Sequence, residues 1–280
     1  PLTNITDSCI RTFIKKCFDV GLVYSEMISA CALVMGNKKT YKMLNIAEKE
    51  KPIAFQIFGN KPEIMEKAAI ILEEKGADII DINCGCSVPK IVEEGNGAEL
   101  LKNVSLLEKI LAKITKKVKI PVSLKTRLGW DRNNINILDI AKIAQDCGVK
   151  MIVIHARTKQ DRFNGEVDFP WIKKVKKEVS IPIIANGDIV DEKKAEEVFR
   201  STECDGIMIG RGALENPFIF SHIYHYLKKE KYKELTYKEK LNILEEKIFL
   251  NNLDNNININ NIKRFLFYYT KNGKHSSFFR

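Results

Sequence analysis

The chain has no long apolar run. No stretch approaches the roughly 20 residues of a membrane span, and no signal peptide is visible, so no membrane association is expected. It also lacks a paired set of cysteines. The seven present, at positions 9, 17, 31, 84, 86, 147 and 204, are odd in number and mostly sit in apolar or helical surroundings. A disulfide framework is therefore not expected, and a reducing compartment, the cytoplasm, is. Acid is in short supply: 36 Asp and Glu stand against 46 Lys and Arg, for a net charge of +10. A polyanionic partner such as RNA suits that charge. A Lys-, Asn- and Ile-rich composition accounts for it equally well.

What the chain does have is repetition. With 280 residues, 45% of them hydrophobic, it can bury one large α/β core with a small appendage. Short runs rich in Ile and Val recur at 21–27, 52–59, 78–84, 121–127, 151–157, 181–188 and 206–211. Almost all are continuous rather than alternating, as strands covered on both faces are. Amphipathic helical stretches lie between them, at 61–76, 136–148 and 191–202. The first two end in Gly76 and Gly148, suited to C-caps, and the third begins with acid, which suits the helix dipole. Strand, helix, strand, repeated, predicts a parallel sheet with right-handed crossovers.

Seven runs fall one short of a (β/α)8 barrel. Pro1-Leu2-Thr3-Asn4 reads as the exit of a first strand that lies mostly upstream, followed by a helix over 6–21 capped by Thr6 or Asp7. The pattern changes after about residue 214. Residues 224–250 read as charged helix, 251–262 as low-complexity Asn-rich chain, and 263–280 as aromatic and basic. Residues 1–222 are expected to form the barrel, and 223–280 a small helical domain.

Barrel chemistry collects at the C-terminal ends of the strands. Here those ends carry Glu26, Gln56, Asn83 to Cys86, Lys125, Arg127, His155, Arg157, Asn186-Gly187-Asp188 and Gly210-Arg211. So many polar endings on one face point to a site. The last two turns, with their glycines and Arg211, suit a phosphate. The stretch DIIDINCGCSVPK (78–90) poses the sharpest question: its two thiols could be a metal clip, a disulfide or a catalytic group. C-x-C lacks zinc-site spacing and a second ligand pair, so no metal is expected. A disulfide across one residue is strained. The third reading, a catalytic thiol at the mouth of a barrel, stays open.

The chain resembles the bacterial-type tRNA-dihydrouridine synthases. The resemblance rests on PLTNITD, SEM, QIFG, DINCGCSVPK, GNGAELL, LKTRLGW, IHARTKQDRFNGEVD, ANGDI and IGRGALENPFIF, over about residues 1–222. FLFYYTKNG (265–273) looks like a shortened form of the family's helical tRNA-binding domain. The resemblance implies a flavin barrel that reduces the C5=C6 bond of a uridine in tRNA, with FMN as cofactor and NADPH or NADH as reductant. It implies that Pro1, Leu2, Thr3, Gln56, Lys125, His155, Asn186, Gly187, Asp188, Gly210 and Arg211 line FMN. Cys86 would be the proton donor, Asn83 and Arg157 would contact the uracil, and the protein would act as a monomer.

Three positions depart from the family pattern. Ser87 stands where Pro is usual and loosens the Cys86 loop. Glu99 stands where a small residue is usual and is expected to put a carboxylate near the site. The opening Pro1-Leu2-Thr3-Asn4 differs from the usual P-M-A-G. Two other readings stay open: an RNA-binding paralogue with weakened catalysis, and a flavin barrel acting on a free pyrimidine. The basic aromatic tail suits the first and argues against the second.

Overall fold

The structure is a computed structural model that describes residues 1–246 and 259–271. Its centre is a curled sheet of seven parallel strands in the order of the chain. These are β1 (Val23–Ser29), β2 (Ile53–Phe58), β3 (Ile79–Cys84), β4 (Val122–Arg127), β5 (Met151–His155), β6 (Ile183–Asn186) and β7 (Gly206–Met208). Each coincides with one of the seven apolar runs of the sequence.

Helix α1 (Ser8–Cys17) precedes the sheet, capped by Asp7, whose carboxylate accepts from the Ile10 amide at 3.1 Å. Short helices α2 (Ala30–Val34) and α3 (Lys38–Lys42) link β1 to β2. The next crossovers are α4 (Pro62–Glu74), then α5 (Pro89–Glu93) with α6 (Val104–Thr115), then α7 (Ile137–Asp146). α8 (Pro170–Glu178) and α9 (Glu192–Thr202) complete the series. Beyond β7 come α10 (Arg211–Glu215), α11 (Ile219–Lys228), α12 (Tyr237–Leu244) and α13 (Ile259–Lys271). α11 runs through residue 222, the expected domain boundary. Most of the Asn-rich stretch, and the chain after 271, lie outside the described residues.

Alternation along the strands divides the sheet into two faces. Ile80, Ile82, Cys84, Leu124, Ile152 and Ile154 turn toward the helices and join the main apolar core. Each such fully buried aliphatic side chain stabilises the fold by about 1.5–3 kcal/mol. The intervening positions, among them Gln56, Asp81, Asn83, Ser123 and Lys125, turn into the barrel. Register sets these polar residues side by side: Gln56 pairs with Asp81, Asp81 with Ser123, and Asn83 with Lys125.

Among the described residues no strand bridges β7 to β1. Residues 1–7 form turns, with the Ile5 and Thr6 amides both donating to the Leu2 carbonyl at 3.0 Å. A second apolar cluster forms from Ile10, Phe13 and Phe18 of the α1 region with Leu214, Phe218 and Phe265. Phe265 and Tyr269 of α13 are buried, whereas Phe267 and Tyr268 are exposed.

Candidate active site

A cavity of about 750 Å³ opens at the C-terminal ends of the strands and extends along the barrel interior. Its wall includes every residue that the family resemblance implies except Arg157: Pro1, Leu2 and Thr3 come from the opening turn, and Gln56, Asn83 and Cys86 from β2, β3 and the loop after β3. Lys125, His155 and Asn186 to Asp188 follow from β4, β5 and β6, and Gly210 with Arg211 close the circuit after β7. Arg157 stands immediately behind, its guanidinium bound to Asp188 of that wall.

The two thiols of the C-x-C stretch face opposite ways. Cys84 is fully buried in the core beneath the helices, and Cys86 borders the cavity. Gly85 lets the chain turn between them: a Cβ there would come within 3.3 Å of the Thr126 backbone. Burial pushes the Cys86 thiol above its ordinary value, against the opposing pull of the Val88 backbone, Arg127 and Lys125. It is therefore a protonated thiol at neutral pH.

Behind Cys86 lies a buried run of hydrogen bonds. The side-chain carbonyl oxygen of Asn83 accepts from the backbone amides of Gly85 at 3.1 Å and Cys86 at 2.9 Å. Its amide nitrogen donates to Gln56 Oε1 at 2.7 Å and to the Met27 sulfur at 3.1 Å. Gln56 in turn donates to Asp81 Oδ2 at 2.6 Å, and Ser123 donates to Asp81 Oδ1 at 2.5 Å. Sequence reasoning missed Asp81 and Ser123. Their signal was a polar residue at every second place inside otherwise apolar strands.

Positive charge dominates the wall. The Lys125 ammonium donates to Asn186 Oδ1 at 3.0 Å, and Asn186 donates on to the Met208 carbonyl at 2.8 Å. Burial, and then Arg127, hold the Lys125 pKa down to about 8. Burial and the neighbouring Lys125, Arg127, Arg157 and Arg211 push His155 far below its usual range, so its imidazole is neutral. Arg157 is clamped: Nε donates to the Gly165 carbonyl at 2.5 Å, Nη1 to Asp188 Oδ1 at 2.9 Å, and Nη2 to Asp188 Oδ2. Arg211 reaches the same carboxylate at 3.0 Å. Two guanidiniums thus neutralise Asp188 and hold its pKa below the usual carboxylate range, chiefly through the Arg157 hydrogen bond.

Phe163, another residue the sequence did not single out, is half exposed at the mouth. Its ring lies 5.6 Å from the Arg127 guanidinium and 5.0 Å from that of Arg211. Two carboxylates fall elsewhere than expected. Glu26 is absent from the cavity wall and accepts from the Asn4 amide; an irregularity between Tyr24 and Met27 puts Met27 at the wall instead. Glu99 pairs with Lys102 at 3.1 Å, outside the cavity.

The turns after β6 and β7 each bring a glycine to the cavity wall. Gly187 has a φ of +132°, and a Cβ there would meet Val167 at 2.9 Å and His155 at 3.3 Å. A Cβ on Gly210 would meet open space, so the backbone there is free to be approached.

Comparison with known proteins agrees with this architecture. A family model described as dihydrouridine synthase (Dus) matches residues 1–280. The chain is 42% identical over 244 residues to tRNA-dihydrouridine synthase B of Pasteurella multocida, covering 87% of this chain and 73% of that relative. It is 38% identical over 242 residues to a probable tRNA-dihydrouridine synthase 1 of Synechocystis, covering 86% and 68%. Among solved structures, an old yellow enzyme homologue from Zymomonas mobilis superposes with a TM-score of 0.57 at 12% identity, covering 84% of this chain and 87% of that one. That likeness is one of fold, the parallel α/β barrel. Family match, sequence relatives and the cavity's residue set agree, and the chain belongs to the dihydrouridine synthase family.

Proposed function

We propose that the chain is a tRNA-dihydrouridine synthase that reduces the C5=C6 bond of a tRNA uridine to 5,6-dihydrouridine. FMN would sit in the cavity, NADPH or NADH would be the reductant, and Cys86 would be the proton donor. The carrying observation is a protonated thiol on the wall of a cation-lined cavity, in a chain of this family.

The residues present fit FMN. The turn at Gly187 leaves no room for a side chain, and Gly210 with Arg211 offers open backbone beside a cation. Those residues would hold the phosphate. Pro1, Leu2, Thr3, Gln56, Lys125, His155, Asn186 and Asp188 would surround the rest of the group. When bound, FMN supplies the hydride that C6 of the uracil receives. Lys125 would bring positive charge to the bound group, and neutral His155 would offer one N–H donor.

Cys86 completes the addition. Its thiol gives a proton to C5, and the thiolate left behind faces Arg127 and Lys125 until solvent restores the proton. Arg157, fixed by Asp188, would stand beside the uracil, and Asn83 behind the thiol. The uridine must leave its stack to enter. Net charge and the outer face of α13, with Lys263, Arg264, Phe267 and Tyr268, suit RNA contact by residues 223–280. A tRNA substrate suits a cytoplasmic protein.

The test is incubation with FMN, NADPH and unmodified tRNA, followed by mass spectrometry of the digested tRNA. Uridine gaining two hydrogens supports the reading. Tight tRNA binding without that gain contradicts it and favours an RNA-binding paralogue.

A further inference from the structure

We propose that Asp81 is a positioning residue that fixes the direction of the hydrogen-bond run to the Cys86 loop, and so holds the thiol in place. The inference rests on the functional role of Cys86, but its first readout does not need that role. The run has two fixed ends. At one, the Gly85 and Cys86 amides can only donate, so Asn83 must present its oxygen to them. Its nitrogen then faces Gln56, which must present its own oxygen there. The Gln56 nitrogen is left facing strand β3, where Asp81 Oδ2 accepts it at 2.6 Å.

Each amide therefore has one workable orientation, dictated from both sides. Both hydrogens and the oxygen of the Asn83 amide are spent on the protein, the second hydrogen on the Met27 sulfur. Asp81, Gln56 and Asn83 are all at least 96% buried, with relative exposures of 0%, 0% and 4%, so an orphaned donor or acceptor among them is costly. Ser123 closes the far end by donating to Asp81 Oδ1. Asp81 lies on β3, the strand that leads into the Cys86 loop, but has no hydrogen bond to the thiol; it acts through Gln56 and Asn83.

A direction can be reversed, and that supplies the test. Asn83→Asp removes the donor facing Gln56. The Gln56 amide must then rotate, which turns its oxygen onto the Asp81 carboxylate, acceptor against acceptor. Asp81→Asn restores a donor there. The double variant would have a complete run of reversed direction, from the Asn nitrogen through Gln56 to the Asp carboxylate, which still accepts the Gly85 and Cys86 amides.

The readouts are the alkylation rate of Cys86 across pH, located by mass spectrometry without tRNA, and then uridine reduction. Asn83→Asp is expected to change the alkylation profile and lower uridine reduction about ten- to a hundredfold, the range for one orphaned buried group. Adding Asp81→Asn is expected to recover most of both. Asp81→Asn also returns the number of buried carboxylates to that of wild type, so Asp81→Leu in the Asn83→Asp background, which removes the charge and supplies no donor, is the control and is expected not to recover. If Asn83→Asp is insoluble, a soluble double variant carries the same meaning. A double variant as impaired, or as insoluble, as the single one overturns the proposal. Recovery of alkylation with no uridine reduction in any form, wild type included, upholds the positioning and removes the synthase reading instead.

Discussion

The cavity mouth and the open edge of the sheet are held by opposite means. At the mouth, directed contacts do the holding: Lys125 to Asn186 at 3.0 Å, Gln56 to Asp81 at 2.6 Å, and Asp188 between two arginines. At the edge, apolar rings pack. Phe13 lies 5.9 Å from both Phe18 and Phe265, and Phe18 lies 5.5 Å from Phe218, all edge to face. Hydrogen bonds fix orientation and tolerate few exchanges, whereas apolar packing fixes volume and tolerates many. The chemistry needs the first kind of order; joining α1 to α13 rests mainly on the second, with one directed contact from Asn261 to the Asp7 cap at 2.9 Å.

Substitutions at four positions sharpen that contrast. The largest effect is expected from Cys86→Ala, which should slow uridine reduction about 10²- to 10⁴-fold, the usual worth of a general acid, while leaving the melting temperature near wild type. A rate within tenfold of wild type, from kcat measurements, removes the thiol from the reaction. Phe265→Ala should do the converse. It deletes a buried ring and should cost about 3–5 kcal/mol in denaturant unfolding. Phe265→Met should cost less than half of that, because it keeps most of the volume.

The next effect concerns charge at the mouth. Lys125 is held down to about 8, first by burial and then by Arg127. Its protonated form is the useful one, so kcat/KM should be flat below pH 8 and fall as pH rises through that value. Lys125→Arg should carry that limb to higher pH. An alkaline limb at the same pH in the variant assigns it to another group. The smallest effect is expected from Phe163→Ala. This half-exposed ring holds no part of the core, so a severalfold rise in KM for tRNA with unchanged stability is expected. A large loss of stability shows that its ring contacts with Arg127 and Arg211 are structural.

All seven strands were legible because continuous Ile and Val runs, punctuated by Gly-ended helices, leave few alternatives. The polar endings were legible too, since parallel strands deliver their last residues to one face. Asp81 was not. Its importance depends on register, which sets it beside Gln56 and Ser123, residues 25 and 42 positions away in the chain. Glu26 was misplaced because an irregularity in β1 shifts the alternation by one residue, and strand phase decides which side chain faces inward. Glu99 was misplaced because it lies in a helical turn over Gly97–Lys102, where its side chain meets Lys102 outside the cavity. The packing of Phe265 against Phe13 joins residues at the two ends of the chain, which no local pattern encodes.

The most direct measurement is an anaerobic single turnover. Protein carrying FMN is reduced with NADPH, freed of excess reductant and mixed with unmodified tRNA, and dihydrouridine is followed with time for wild type and Cys86→Ala. Rapid formation by wild type, with Cys86→Ala slowed at least a hundredfold although it is reduced by NADPH as fast, is the expected result. Equal rates in the two proteins, or no dihydrouridine from either, contradict a cavity built to bring a uridine against the Cys86 thiol.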